Sequence, residues 1–184
     1  MNSFPGKECY MNLSAKNNVN PSSELEQNLN LLRQTYFFSG IPLEALRVFA
    51  YLCTREKFKA GEYLFRQGED DGQAFYIIEG KAVLEREEDR GQKSVRNCES
   101  GEFLGGLTLV AEMRRLFSLK AAEDTTCLIL NREKFTKTME QFPDMMPKIL
   151  RALVNVIDNW EERFLVDRTD KCLDCMENLG VSVL

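Results

Sequence analysis

Residues 101–121 read GEFLGGLTLVAEMRRLFSLKA, and the fold is decided by how this stretch changes character along its length. Gly101, Gly105 and Gly106 give a tight turn the backbone freedom it needs. A short apolar helix follows, then a segment that reads as a strand carrying Arg115. Glycines allow close approach, free amides at a helix start point outward, and a guanidinium completes a clamp, an order that suits an anion. The rest of the chain either presents this loop or has inherited it and put it out of use.

Upstream, the pattern is that of short strands. Phe58, Tyr63, Phe65, Phe75, Ile77, Val83 and Val95 fall in brief runs. Gly61, Gly68, Gly72, Gly80, Gly91 and Gly101 break them at about ten-residue intervals, a spacing of antiparallel sandwiches and barrels. The tract Glu85 to Arg90, EREEDR, reads as a charged, solvated hairpin tip. Thr125 to Leu130 makes a last strand, and Arg132 to Phe142 an amphipathic helix closed by Pro143. The clusters Glu69-Asp70-Asp71 and Glu161-Glu162 read as solvated charge.

Helices flank these strands. Residues 1–22 are polar and aperiodic, a tail. Ser22 or Ser23 is placed to cap a helix starting near Glu24, with Leu25, Leu29 and Leu32 on one stripe. Phe37-Phe38-Ser39-Gly40 ends it. Pro42 opens a second helix with Leu43, Leu46, Phe49, Ala50 and Cys53 on its inner side. The last helix starts after Asp144 as its cap. In it, Met146, Leu150, Leu153, Ile157, Trp160 and Phe164 recur in steps of 4 and 3, a heptad seam widened by Ile149 and Val156. Leu150, Leu153, Ile157, Trp160 and Phe164 are thus the candidate dimer interface, unless the helix packs only within its own chain. The expected organisation is a tail over 1–22, a domain over 23–142, a dimerisation helix over 143–166 and a second tail over 167–184.

Composition narrows the function. The 184 residues carry 24 Lys and Arg against 29 Asp and Glu, a net charge of -5. No basic face is evident, so no nucleic-acid partner is expected. No apolar run spans a bilayer, no signal peptide opens the chain, and Asn2 excludes N-myristoylation; no membrane partner and a cytoplasmic location are expected. Histidine is absent, which removes the commonest general base and any His-ligated metal. No catalytic residue and no metal ligand are assigned. Four of the 6 Cys, Cys9, Cys53, Cys98 and Cys127, are scattered singly and read as reduced thiols. Cys172 and Cys175 form a lone pair, short of the four ligands that zinc usually takes.

Four motifs then fall in one order. Residues 38–46, FSGIPLEAL, look like the helical lead-in of cyclic-nucleotide-binding domains. Residues 59–69, KAGEYLFRQGE, resemble their second and third strands, and residues 74–83, AFYIIEGKAV, resemble the next hairpin. The fourth is the phosphate-binding cassette, which in that family reads approximately F-G-E-L-A-L, a short loop, then P-R-A-A-T-V. Here it falls on Leu104-Gly105-Gly106-Leu107-Thr108-Leu109 and Arg114-Arg115-Leu116-Phe117-Ser118-Leu119. The resemblance spans roughly residues 36 to 142. It implies a mainly β fold with flanking helices: an eight-stranded β-roll of jelly-roll type with N-terminal helices and a long C-terminal helix.

The same resemblance implies site residues. Gly105 matches the family glycine, and Arg115 the arginine that contacts the cyclic phosphate. Leu107 and Leu109 match packing positions. Gly105, Gly106, Leu107, Thr108, Arg115 and Leu116 are the candidate ligand-binding residues. Four positions that bear on the pocket depart from the pattern. Gly106 replaces the glutamate that holds the ribose 2′-hydroxyl, Arg114 replaces proline, and Leu116 and Phe117 replace small residues. A charge-assisted hydrogen bond contributes roughly 1.5–3 kcal/mol, so losing the glutamate costs about ten- to a hundredfold in affinity. Strand alternation sends Leu116 or Phe117 toward the pocket, to fill it or to stack on a base. Arg115 either meets a ligand or pairs with Glu102 or Glu112.

The expected function is a non-enzymatic, homodimeric sensor or regulatory module with cyclic-nucleotide binding weakened or lost. The alternative is a working cyclic-AMP or cyclic-GMP receptor domain. Only 17 residues follow Asp167, too few for a helix-turn-helix domain. No cofactor is expected beyond a possible cyclic nucleotide or other small anion, and output passes to an unidentified protein partner.

Overall fold

Two neighbouring strands organise the molecule by facing two ways. The computed structural model describes residues 21–88 and 91–168. Cys9, Cys172 and Cys175 lie outside them. Strand β3 (Gln73–Glu79) and strand β8 (Thr125–Asn131) pair antiparallel. Phe75, Ile77, Cys127 and Ile129 point into one core, while Ala74, Tyr76, Leu128 and Leu130 point into another. A pleated strand sends alternate side chains to opposite faces, so a strand apolar at every position is buried on both.

The inner core lies between two four-stranded sheets. One has the order β1 (Thr54–Phe58), β8, β3, β6 (Phe103–Leu104). The other runs β2 (Tyr63–Phe65), β7 (Ser118–Ala121), β4 (Lys81–Glu88), β5 (Gly91–Glu99). All pairings are antiparallel. Eight strands with flanking helices match the roll expected from the sequence. The outer core is helical: α1 (Pro21–Gln34), a 3₁₀ turn over Tyr36–Phe38, α2 (Leu43–Leu52), α4 (Arg132–Gln141) and α5 (Met146–Arg168). Phe49 stacks on Phe135 with centroids 5.6 Å apart, and Phe37 and Phe38 close the group against Phe103. The Asn131 side chain caps α4 by accepting from the Lys134 amide at 2.9 Å, satisfying one of the free donors of a first turn.

Several local expectations are corrected. The first helix begins at Pro21, not near Glu24, so Ser22 and Ser23 sit within it; proline suits a first helical position. Leu43 lies in the first turn of α2 and is 43% exposed, not inward. Residues 85–88 are not a loop: β4 runs to Glu88, paired with β5. Glu85 still pairs with Ser118 of β7 and is half-buried; over residues 86–88 the ribbon is two-stranded and needs only backbone pairing, so those side chains stay exposed. Residues 143–145 form a 3₁₀ turn, and α5 starts at Met146 without Asp144 as its cap.

The thiols of Cys53, Cys98 and Cys127 are free. Burial, reinforced by the charge of Glu56, pushes Cys127 from 9.0 up to about 12. The folded state therefore holds this proton where the unfolded chain releases it. That contribution is complete below pH 9.0 and is lost as pH rises toward 12. Between those limits unfolding free energy should fall by roughly 1.4 kcal/mol per pH unit for this thiol. Denaturant melts of the parent and Cys127→Ala from pH 8 to 11 test it; parallel pH profiles would refute it.

Candidate functional site

The glycine turn and Arg115 meet where the roll opens. β6 ends at Leu104, Gly105 takes φ 83, and α3 (Gly106–Val110) begins at once. Gly105 is obligatory twice over. Its φ is left-handed, and a Cβ there would lie 2.5 Å from Arg115 Nη1 and 2.8 Å from the Gln73 carbonyl oxygen. Thr108 is buried, its hydroxyl 2.7 Å from the carbonyl oxygens of both Gln73 and Gly105. Those contacts tie α3 to β3.

Arg115 does not lie on a strand. It sits in the loop ahead of β7, held by its own backbone. Its N–H donates to the Glu69 carbonyl at 2.8 Å, and its carbonyl accepts from the Gly68 N–H at 2.8 Å. The guanidinium is buried, its side chain 5% exposed, with Cζ 4.0 Å above the Phe65 ring. Its partner is Asp71, not Glu102 or Glu112. Asp71 Oδ1 accepts from Nε at 3.1 Å and Nη2 at 2.6 Å, and Nη2 also donates to the Gln73 carbonyl. Glu102 is engaged elsewhere, 2.6 Å from Arg96. Asp71 Oδ2 is buried without a hydrogen-bond partner. Neighbouring Asp70 pairs with Arg132, whose hydrogen bond holds that carboxyl below the usual carboxylate range. So the acidic turn at residues 69–71 is an anchor for two arginines rather than solvated charge.

Gly106 has its own constraint. A Cβ on it would lie 2.8 Å from the Phe37 ring and 3.1 Å from Phe103. The direction in which a glutamate would leave the backbone is sealed by aromatic rings.

A cavity of about 250 Å³ opens over Arg115. All six candidate residues, Gly105, Gly106, Leu107, Thr108, Arg115 and Leu116, line it, together with Phe65, Leu84, Met113 and Phe117. Leu116 is 68% exposed at the rim and Phe117 is half-buried on the wall. Their alternation is a loop's, not a strand's. A second cavity of about 490 Å³ lies behind the same loop, between Phe37, Phe103, Leu107, Leu153 and Val156. The sequence reading missed Asp71, Gln73 and Phe37. Asp71 left one signal, an acidic residue beside a glycine in the turn before β3.

The candidate dimer residues divide. Leu150 is 47% exposed, Leu153 packs on its own outer core, and Ile157 is half-buried. Trp160 and Phe164 fall in α5, but their side chains lie outside the described residues. Val154, 61% exposed, lies one turn from Leu150 and extends its apolar face, while Val156, 49% exposed, lines the second cavity with Leu153. Among the described residues, no helix is long and apolar enough to cross a membrane.

Comparison with known proteins places this geometry. A family model described as cyclic nucleotide-binding domain matches residues 55–142. Mouse (Mus musculus) cGMP-dependent protein kinase 2 is 27% identical over 141 residues, covering 75% of this chain and 18% of the kinase. The chain thus spans about a fifth of the length of such curated relatives. A cyclic nucleotide-binding-like protein from Brucella abortus superposes with TM-score 0.58 at 29% identity, over 62% of this chain and 98% of that one. The regulatory subunit of a cAMP-independent protein kinase A from Trypanosoma brucei shares the fold at 23% identity and TM-score 0.55, over 68% and 46% of the two chains.

Proposed function

Because residues 55–142 belong to the cyclic nucleotide-binding domain family, we propose that this chain is a non-enzymatic, homodimeric regulatory module in which cyclic-nucleotide binding is weakened or lost. The observation that carries the reading is the seal at Gly106. A carboxylate for a ribose hydroxyl has no room while Phe37 occupies that direction. The ion pair of Arg115 with Asp71 works the same way, since a cyclic phosphate must compete with a carboxylate already 2.6 Å from Nη2. A structural neighbour described as cAMP-independent keeps the same roll, so the fold does not require that ligand. Output then runs through a protein partner, reached from a dimer formed on the exposed face of α5.

The receptor alternative has one observation in its favour: Nη1 of Arg115 makes no hydrogen bond among the described residues and lies beside Gly105, and both residues line the cavity. Thermal unfolding in 1 mM cyclic AMP or cyclic GMP separates the readings. A ligand present at a hundred times its dissociation constant stabilises by about 2.7 kcal/mol, and one at its dissociation constant by only about 0.4. The expected stabilisation is below about 0.5 kcal/mol. A shift near the larger value, lost in Arg115→Lys, would establish a working receptor. Sedimentation tests the dimer independently: Leu150→Asp with Val154→Asp should give a folded monomer, and a parent already monomeric at all concentrations removes that part.

A further inference from the structure

The cavity over Arg115 has a composition of its own. Phe65, Leu84, Leu104, Leu107, Met113 and Phe117 supply its walls. The Thr108 hydroxyl, also on its surface, is already engaged by two carbonyl oxygens. Arg114 stands at the exposed rim, in water. On the floor the charge is balanced, because Nε and Nη2 of Arg115 hold Asp71 Oδ1 at 3.1 and 2.6 Å. What remains on the guanidinium is Nη1, an NH2 group beside Gly105 whose two N–H donors have no partner among the described residues.

An anion that enters gives up its hydration for a floor whose charge is already balanced and walls made mainly of apolar side chains. An uncharged ring loses little and gains apolar contact over most of its surface. At about 250 Å³ the space falls just below the ~300–1,000 Å³ of drug-sized sites, which leaves room for one ring system. We propose that this cavity binds an uncharged, mainly apolar small molecule with a single hydrogen-bond acceptor, of the aryl ketone class, with Nη1 of Arg115 as the donor. The inference deepens the reading of a cassette that no longer serves a cyclic phosphate, and it rests on that reading.

Calorimetric or ligand-observed NMR titration of the full chain tests it with three probes. Acetophenone carries the ring and the acceptor, benzoate adds a negative charge, and cyclic AMP is the family-type ligand. Acetophenone should bind about tenfold or more tightly than benzoate. Met113→Trp fills the cavity and should abolish binding; Leu107→Trp does the same from an exposed wall position if the first variant does not fold. Asp71→Asn uncovers the Arg115 charge and should raise benzoate affinity about tenfold, narrowing or reversing the preference. Acetophenone that fails to bind, binds no better than benzoate, or binds equally to both filled variants overturns the inference, as does benzoate affinity unmoved by Asp71→Asn. If cyclic AMP is silent as well, only this inference falls. Micromolar cyclic AMP binding would overturn both it and the reading beneath it.

Discussion

Arg115→Met lowers the unfolding free energy by about 3–5 kcal/mol, the range for breaking a buried ion pair by removing one partner. Methionine keeps the aliphatic part of the side chain and removes the guanidinium, whose Cζ lies 4.0 Å above Phe65, so the loss is chiefly electrostatic. Asp71 is left with a buried carboxylate whose Oδ2 has no partner and whose Oδ1 keeps only the Gln73 amide at 3.1 Å. Arg115→Met combined with Asp71→Asn removes the stranded charge while retaining an acceptor for that amide. The double variant should recover about 1–3 kcal/mol relative to Arg115→Met, a coupling of the size found for residues in one network. Urea denaturation at neutral pH measures all members of the cycle. Additive losses would mean that the two residues do not act as a pair. The cycle also separates stability from ligand binding, because both single substitutions alter the cavity floor.

Gly80→Ala is the second large effect, about 2–5 kcal/mol, and Gly61→Ala is its control. The two glycines share almost the same backbone, φ 92 at Gly80 and φ 91 at Gly61. Both variants therefore meet the left-handed penalty of roughly 1–2 kcal/mol. They differ in what a Cβ finds. At Gly61 there is nothing within 4 Å; at Gly80 it meets the Asp124 carbonyl oxygen at 2.5 Å and the Thr125 Cα at 2.8 Å. Gly80 is the whole connection between β3 and β4, pressed on a backbone that Thr125 anchors through the Lys81 carbonyl at 3.0 Å. Relief requires β8 to move, and overpacking of this kind adds about 1–3 kcal/mol. Equal losses in the two variants would show that φ alone sets the cost.

Much of the roll was legible because its signals are local. Glycines at regular spacing marked the turns, and short apolar runs between them marked the strands. Gly105 and Arg115 were readable as one site because the motif keeps them ten residues apart. What closes that site was not local. Asp71 lies 44 residues before Arg115, in a turn whose acidic neighbours Glu69 and Asp70 are exposed. Nothing in the run itself tells which of the three carboxylates turns inward. Phe37 read as a helix stop, and only the packing of the 3₁₀ turn against α3 brings its ring to Gly106. Arg115 left the strand for the same reason: pairing with Gly68 and Glu69 competes with a sheet ladder, and only the fold decides which wins. Leu153 was placed correctly on an apolar stripe, but a stripe cannot say whether its own domain or a second copy covers it.

The two-faced pair β3–β8 also limits how this chain can change over generations. Side chains there may be exchanged one for another, yet where the register is regular, Ala74–Ile77 opposite Cys127–Leu130, no residue can be inserted or deleted singly. A one-residue slip would send Cys127 and Ile129 toward the helices and Leu128 and Leu130 into the roll, scrambling two interiors in one event. The far end of the β4–β5 ribbon has no such stake, being exposed over residues 86–88 and 91–97. Length variation among descendants of this sequence is expected to collect there, while β3 and β8 keep their residue count.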